Sequence, residues 1–444
     1  MFRSRSADRI AALVTAGAYL LLTGCSASIN VDQMLTPPKL SAQQEQIYQA
    51  LTDATGTDIR LKYPKRGAYL SAFIVEDIDG DGADEAIVFY ESSASPLPDT
   101  GLRINVLDRI DGEWLSICDR SADGTEIEKV VISPLGTSDR VNIIIGWSTA
   151  NTAEKSVSIY SYSDGYLDQT FAHSYALFDV ADTGSGQAGP DLILLGAKTT
   201  TDPAYAAVYR LEDDARYHEY KYNFRDTFAY SDYSQLVYGR TADGHVLLYI
   251  DAATGTSGLQ TEVLCMDDVS LTNMLERCGA KPEDTVRRAG LSTADVDGDG
   301  VPEIPVQSVF RGYEDAAESE QMRQTRWLRL TEDRVYARHY SYYSTGGGYA
   351  VLLPESWRNR VTVMNDAVSG ELRFVVYDGQ WTDDSPVLLR VYIAYDAADL
   401  SDHLSDGFEL LHTKGTASYL VRAEQGQDLS LSLGDLLPCF RFLN

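Results

Sequence analysis

The sequence has few of the residues that enzymes most often use as metal ligands or nucleophiles. Only five cysteines and six histidines occur among 444 residues. No C-x-x-C pair, H-E-x-x-H helix, G-x-S-x-G turn, P-loop or dinucleotide-binding glycine loop is present. The sequence therefore predicts no catalytic site. Four cysteines are widely spaced with apolar neighbours, which favours free thiols over a disulfide, although a disulfide stays possible: Cys118, Cys265, Cys278 and Cys439.

Basic residues are also scarce relative to acidic ones. The chain has 37 Lys and Arg against 66 Asp and Glu, for a formal net charge of −29. This charge opposes binding to nucleic acids or to anionic lipid surfaces by bulk electrostatics. We therefore expect no nucleic-acid partner and a solvated, monomeric protein.

The N-terminus has the features of a processed segment. Three arginines precede the apolar run Ala11–Leu22, which is too short to span a membrane comfortably. The run ends in Leu22-Thr23-Gly24-Cys25, which resembles a bacterial lipobox. That resemblance implies a signal peptide over 1–24, a lipid on Cys25 and a tether over 25–40. The protein would then lie on the extracytoplasmic face of a bacterial cell membrane. The alternative is an ordinary secretory peptide with a chance cysteine.

Two acidic stretches carry the strongest chemical signal in the chain. Ile74–Tyr90 reads IVEDIDGDGADEAIVFY, and Ala294–Val306 reads ADVDGDGVPEIPV. Each places acids at loop positions 1, 3, 5 and 9, with a glycine at position 6 that allows a sharp turn. The candidate metal ligands are these acids and the backbone carbonyl at position 7: Asp77, Asp79, Asp81, Ala83, Glu85, Asp295, Asp297, Asp299, Val301 and Glu303.

Calcium prefers about six to eight oxygen ligands, which such a loop can supply. An EF-hand also needs a glutamate at position 12, but that position holds Val88 and Val306. The flanking residues are β-branched and aromatic, which predicts strands on both sides of the loop. The alternative interpretation is an acidic surface turn that holds no ion.

An acid loop between two strands resembles the FG-GAP/VCBS repeats of integrin-α-type β-propellers. Both loops match that pattern, with Glu in place of the usual last Asp, and the match implies two structural calcium sites. It also implies an all-β fold, a six- or seven-bladed β-propeller over residues 67–444. The residue pattern agrees, because short apolar strands recur at roughly 50- to 70-residue intervals. They are Glu85–Tyr90, Val141–Gly146, Asp191–Gly196, His245–Ile250, Glu303–Val306 and Glu371–Tyr377.

Helices are expected at two places. Ser41 and Gln44 form a capping box that predicts a helix over 41–56, which would cover part of the domain or, alternatively, bind a partner. Apolar spacing from Leu271 to Cys278 predicts a second helix, inserted between the fourth and fifth repeats. The segment 405–444 contains further strands that would complete a seventh blade or close the ring with the first.

The sequence supports two main classes of function. The first is a lipid-anchored surface module that binds or scaffolds an unknown protein or carbohydrate. The second is a propeller enzyme acting on polysaccharide, of glycosidase or lyase type. A sensory or envelope-assembly lipoprotein would have the same sequence features as the first class. The 28 tyrosines fit a recognition surface, or else simple packing between blades.

Overall fold

The protein folds almost entirely as antiparallel β-sheet. The computed structural model describes residues 40–92, 101–137, 140–149, 152–184, 189–212, 215–225, 230–241, 244–267, 270–366 and 368–442. Within these ranges there is no helix long and apolar enough to cross a bilayer. The predicted signal peptide, Cys25 and nearly all of the tether lie outside the described residues.

The described strands form six sheets, each continuous in the chain apart from one C-terminal strand. Sheet 1 contains β1 (Ile59–Leu61), β2 (Phe73–Glu76), β3 (Glu85–Ser92), β4 (Leu102–Ile110) and β5 (Glu113–Ser121). Sheet 2 contains β6 (Glu126–Pro134), β7 (Val141–Thr149), β8 (Thr152–Ser163) and β9 (Tyr166–Tyr175). Sheet 3 contains β10 (Leu177–Ala181), β11 (Asp191–Gly196), β12 (Tyr205–Leu211) and β13 (Tyr217–Asn223).

The second half of the chain repeats this plan. Sheet 4 contains β14 (Tyr233–Arg240), β15 (Val246–Thr254), β16 (Gly258–Met266), β17 (Leu271–Asn273) and β18 (Arg287–Arg288). Sheet 5 contains β19 (Ile304–Val309), β20 (Arg323–Leu330), β21 (Val335–Ser344), β22 (Tyr349–Leu352) and β28 (Phe440–Phe442). Sheet 6 contains β23 (Val361–Asn365), β24 (Leu372–Val376), β25 (Val387–Ala394), β26 (Glu409–Lys414) and β27 (Ala417–Ala423).

The helices in the described ranges are few and short. They are α1 (Ala42–Thr55), α2 (Met274–Arg277), α3 (Ala397–Ser405) and α4 (Leu433–Leu436). Three 3-10 turns lie at Pro282–Thr285, Glu355–Trp357 and Leu437–Cys439. The all-β prediction is therefore confirmed.

Consecutive sheets pack face to face, in the manner of β-propeller blades. Separate apolar cores lie between sheets 1 and 2, 2 and 3, 3 and 4, 4 and 5, and 5 and 6. Middle strands such as β11 are consequently buried on both faces. Helices cover the outer faces at the two ends of this succession: α1 packs on sheet 1, and α3 packs on sheet 6.

Helix α1 forms as the capping box predicts. The Ser41 hydroxyl accepts the Gln44 N–H at 3.2 Å, and the Gln44 side chain accepts the Ser41 N–H at 3.0 Å. Ile47 and Leu51 are fully buried against sheet 1. The helix therefore covers the domain, as the first of its two interpretations predicts.

The second predicted helix is largely wrong. Leu271–Asn273 is strand β17, paired with β16 through Met266 and Leu271, and only Met274–Arg277 is helical. Leu271 and Asn273 are buried while Thr272 between them is not, which is the two-residue period of a strand. The segment completes sheet 4 and is not an insertion.

The C-terminal segment forms no seventh sheet in the described part of the chain. Strands β26 and β27 complete sheet 6, and β28 pairs with β22 of sheet 5. The expectation that this segment completes a seventh blade or closes on the first sheet is therefore wrong. Sheet 5 gains the last strand because Phe440 and Phe442 pack into the core between sheets 5 and 6.

The short apolar strands predicted from the repeat are confirmed in all six sheets, as β3, β7, β11, β15, β19 and β24. The four cysteines are free thiols, of which Cys265 is buried. Some of the tyrosines pack between sheets. Tyr220 and Tyr222, for example, contact the core of sheets 3 and 4. Packing between sheets was one of the two interpretations of the tyrosines.

A buried ion pair ties sheet 4 to the segment that leads into the second acid loop. Asp251 on β15 lies 2.7 Å from Arg287 on β18, and both side chains are fully buried. Asp251 also accepts the Thr293 N–H at 2.8 Å and the Thr261 hydroxyl at 2.7 Å. Asp251 thereby connects β15 to β16, to β18 and to the residues just before the second acid loop.

Replacing Asp251 by alanine should strongly destabilise the protein. The Arg287 charge would stay buried without its partner, which costs about 3–5 kcal/mol. Urea unfolding followed by fluorescence measures this loss. Arg60→Ala is the control, because Arg60 is largely exposed and 3.9 Å from Glu91, and it should cost less than about 1 kcal/mol. Equal effects of the two substitutions would contradict the prediction.

A buried carboxyl in sheet 4 makes stability depend on pH. Glu262 is 1% exposed, accepts the Tyr230 hydroxyl at 2.8 Å and accepts the Asn273 amide at 2.7 Å. Burial raises the pKa of Glu262 from 4.5 to about 7, although these two hydrogen bonds act in the opposite direction. The folded protein therefore holds a proton that the unfolded chain releases at lower pH.

The contribution of Glu262 to stability should be complete below pH 4.5 and should fall as the pH rises toward 7. Glu262→Gln has no proton to release, so we expect its melting temperature to fall less than that of the wild type between pH 5 and 8. Melting curves recorded in chelator at both pH values test this. Parallel pH dependence of the two proteins would refute it.

Candidate metal centre

The first acid loop joins β2 to β3, as predicted. The two carboxylate oxygens of Asp77 accept the N–H groups of Gly80 at 2.7 Å and Gly82 at 3.0 Å. Gly82 has φ of +89°, a conformation that glycine adopts without strain. The Asp77 side chain and the glycines thus fold the loop into a tight turn.

Three predicted ligands converge inside this turn. One carboxylate oxygen each from Asp77, Asp79 and Glu85 lies within 4.8 Å of the others. Asp81 is not part of this set, and its side chain accepts the Ala83 N–H at 2.7 Å. The structure therefore brings together three of the four predicted carboxylates.

Glu85 is the most unusual residue of the loop. It is 1% exposed, and its Oε2 accepts the Ile78 N–H at 2.9 Å. Its Oε1 is buried and has no hydrogen-bond partner among the described residues. Burial, helped by repulsion from Asp79, raises the pKa of Glu85 to about 7. A cation at this point would supply the missing partner, so the residues present fit a hard divalent ion.

The second loop folds in the same way. It begins at Ala294, which pairs with Glu303, and it precedes β19. Asp295 accepts the N–H groups of Gly298 and Gly300, both at 2.7 Å. Oxygens of Asp295, Asp297 and Asp299 lie within 4.8 Å of one another. The backbone of the second loop therefore repeats that of the first.

The two loops differ in what lies between their acids. In the second loop the guanidinium of Arg329, from β20, contacts Glu303 through Nε at 2.8 Å and also through a terminal nitrogen. It reaches Asp299 at 2.5 Å and Asp297 at 3.3 Å. The same group lies 3.5 Å from the carbonyl oxygen of Val301. Four of the five predicted ligands of this loop therefore contact one arginine.

Two further side chains lie close to Asp297. His339 Nε2 lies 2.7 Å from its carboxylate, and Arg338 lies 3.5 Å away. Burial opposes ionisation, but the hydrogen bond with His339 and the charge of Arg329 lower the pKa of Asp297 to about 2. Asp297 is therefore a carboxylate that protein groups already neutralise.

The sequence analysis did not identify Arg329 or His339 as part of this loop. Both residues lie more than twenty positions after the acids, on β20 and β21. The pairing register of β19 with β20 is what brings Arg329 to the loop. Ile304 pairs with Leu328, and Glu303 therefore lies beside Arg329. Pairing the strand after the loop with the next strand would have located Arg329.

A cleft lies where sheets 4, 5 and 6 meet. Its volume is about 750 Å³, and its lining includes Arg288, Arg323, Tyr342, Tyr343 and Asn365. Glu318 is the one carboxylate among its lining residues, and it is paired with Arg288 at 3.1 Å and with Arg323 at 3.2 Å. No histidine is among the described residues that line the cleft. The cleft thus combines aromatic, amide and charged groups without a pair of acids.

Comparisons with known proteins give no family. No family model matches the chain, and no curated protein matches it. Among solved structures, a Lactobacillus plantarum protein is 12% identical with a TM-score of 0.30, covering 74% of this chain and 97% of that one. An exotype rhamnogalacturonan lyase is 13% identical with a TM-score of 0.28, covering 74% and 73%. A Penicillium chrysogenum α-L-arabinanase, complexed with arabinobiose, is 9% identical with a TM-score of 0.28, covering 82% and 96%.

Proposed function

We propose that this protein is a lipid-anchored binding or scaffold module, of FG-GAP/VCBS type, whose first acid loop holds a structural calcium ion. The observation that carries the calcium site is the buried Oε1 of Glu85, which has no hydrogen-bond partner in the described structure. A buried polar atom without a partner costs about 1–3 kcal/mol, and more when it is charged. A bound cation removes that cost.

The calcium ion would have a structural role. Calcium would be held by Asp77, Asp79 and Glu85, and it would neutralise carboxylates that repel one another at the β2–β3 connection. Sheet 1 is an end sheet, with sheet 2 on one face and helix α1 on the other. Fixing this loop therefore stabilises the end of the sheet succession. The six sheets correspond to six blades in this proposal.

The remaining parts of the proposal come from the sequence. A lipid on Cys25 would anchor the protein to the extracytoplasmic face of a bacterial membrane, with residues up to 40 as the tether. The protein, whose full chain has a net charge of −29, would be a soluble monomer whose partner is a protein or a carbohydrate. The sequence also predicts a calcium site in the loop of Asp295, Asp297, Asp299, Val301 and Glu303, but the proposal does not include it, because Arg329 already contacts four of these five residues.

The alternative function is an enzyme acting on polysaccharide. Glycoside hydrolysis commonly uses two carboxyl groups that flank the scissile bond. The cleft between sheets 4, 5 and 6 has Glu318 alone, and arginines on two sides hold it as an ion pair. Tyr342, Tyr343 and Asn365 instead offer aromatic stacking and amide hydrogen bonds. These groups favour binding of a saccharide over its cleavage.

Calcium should raise the melting temperature of the wild-type protein, and Asp79→Asn should remove most of that increase. A ligand at 100 times its Kd stabilises the folded state by about 2.7 kcal/mol. The measurement is a melting curve in millimolar calcium and one in chelator, for both proteins. Asp111→Asn is the matched control, because Asp111 lies in the β4–β5 turn with φ of +53°, which asparagine tolerates. An equal melting temperature of the wild type in calcium and in chelator would contradict the calcium site.

Arg288→Ala should weaken binding of a polysaccharide in this cleft by about tenfold, because a hydrogen bond to a charged group contributes about 1.5–3 kcal/mol. Affinity electrophoresis in gels containing polygalacturonate or a neutral glucan provides the test. Arg60→Ala is the control, since Arg60 is a similarly exposed arginine on sheet 1. Equal mobility of wild type and Arg288→Ala in every gel would count against this cleft as the ligand site.

A further inference from the structure

In each of the two sheets that carry an acid loop, a residue of the neighbouring strand lies beside the glutamate that ends the loop. In sheet 1, Ala86 pairs with Leu107, which places Asp108 beside Glu85. In sheet 5, Ile304 pairs with Leu328, which places Arg329 beside Glu303. The two loops are alike in backbone, but the residue across the sheet has opposite charge.

Sheet 3 contains a third example of this position. Leu192 pairs with Tyr209, so Asp191 lies beside Arg210, and their side chains form a buried ion pair at 3.2 Å. Two further acids of sheet 3, on β10 and just after it, are also paired with cations. Asp179 lies 2.6 Å from Lys129, and Asp182 lies 3.1 Å from Arg240. An arginine across the sheet thus recurs where the loop's carboxylates are neutralised by protein groups.

Sheet 1 departs from this pattern. Asp108 is half-buried, and it adds negative charge to a loop that already holds Asp77, Asp79 and Glu85. Glu85 keeps a buried oxygen without a partner in the described structure, whereas Glu303 contacts Arg329 with its Oε1.

We infer that the residue across the sheet decides whether an acid loop takes a metal ion. Asp108 completes a divalent-cation site at the first loop, and the guanidinium of Arg329 takes the place of the cation at the second loop. The protein therefore binds one calcium ion and not two. The part concerning Asp108 rests on the calcium site proposed above.

Charge and geometry support this exchange. The Arg329 guanidinium lies among Asp297, Asp299, Glu303 and the Val301 carbonyl, the ligands that a calcium ion would need. An arginine is charged at every relevant pH and donates five N–H groups, so it can satisfy several carboxylates at once. An ion entering the second loop would have to displace the Arg329 guanidinium and break its ion pairs with the loop acids. In the described structure no arginine or lysine occupies the first loop in this way.

Calcium titration of the full chain by calorimetry, with wild type and two charge-swapped variants, tests the inference. We expect one site in the wild type, none in Asp108→Arg and two in Arg329→Asp. Asp108→Asn should weaken the single site severalfold, because it removes a negative charge beside the loop. Melting curves in chelator are recorded alongside, and Arg329→Gln should melt below the wild type there because its acids lose their cation.

Arg334→Asp is the control for the second loop. Arg334 is exposed on the turn between β20 and β21, the hairpin that carries Arg329. The charge change is the same as in Arg329→Asp, so the number of calcium sites should stay at one. A second site in Arg334→Asp would mean that net charge alone sets the stoichiometry, which would overturn the inference.

The other outcomes separate this inference from the proposed function. Two calcium sites in the wild type, or one site in a folded Arg329→Asp variant, would overturn the inference while leaving calcium binding intact. No site in the wild type would overturn both the calcium proposal and the role of Asp108. In that case the role of Arg329 stands if Arg329→Gln lowers the melting temperature in chelator, and falls if it does not.

Discussion

The structure depends on covering both faces of every sheet. Central strands such as Asp191–Gly196 are buried along their whole length, so a sheet exposed on one side would leave a large apolar surface in water. Five sheet-to-sheet cores solve this inside the succession. At its ends helices α1 and α3 take the place of a neighbouring sheet. The capping box at Ser41 is therefore a feature of the tertiary structure as much as of a local helix.

Stacking sheets this closely also buries acids within the strands and beside their ends, and each acid needs a compensating partner. Asp191 has Arg210, Asp251 has Arg287, and Glu303 has an arginine from the next strand. These pairs place charge where water is excluded, so loss of either partner is expensive. Glu85 is buried to a similar degree but has a single backbone donor for one oxygen. The same constraint thus yields ion pairs in three sheets and a candidate metal site in sheet 1.

The sequence predicted the features that local rules control. Apolar runs predicted one buried strand in each of the six sheets, and Gly82 and Gly300 marked the tight turns of the loops. The prediction was wrong where the apolar residues of one segment fit both the helical and the strand periodicity. Leu271–Asn273 satisfies helical spacing, yet pairing with β16 makes it a strand. The C-terminal strand β28 was misplaced because its sheet partner, β22, is distant in sequence.

By itself the sequence determined the acid loops, because turn geometry and carboxylate spacing are encoded within about ten neighbouring residues. It could not determine what neutralises each loop. That depends on which residue lies across the sheet, and cross-strand register joins residues more than twenty positions apart. Only the tertiary structure places Asp108 beside one loop and Arg329 within the other. Two nearly identical motifs therefore differ in electrostatics because their neighbours do.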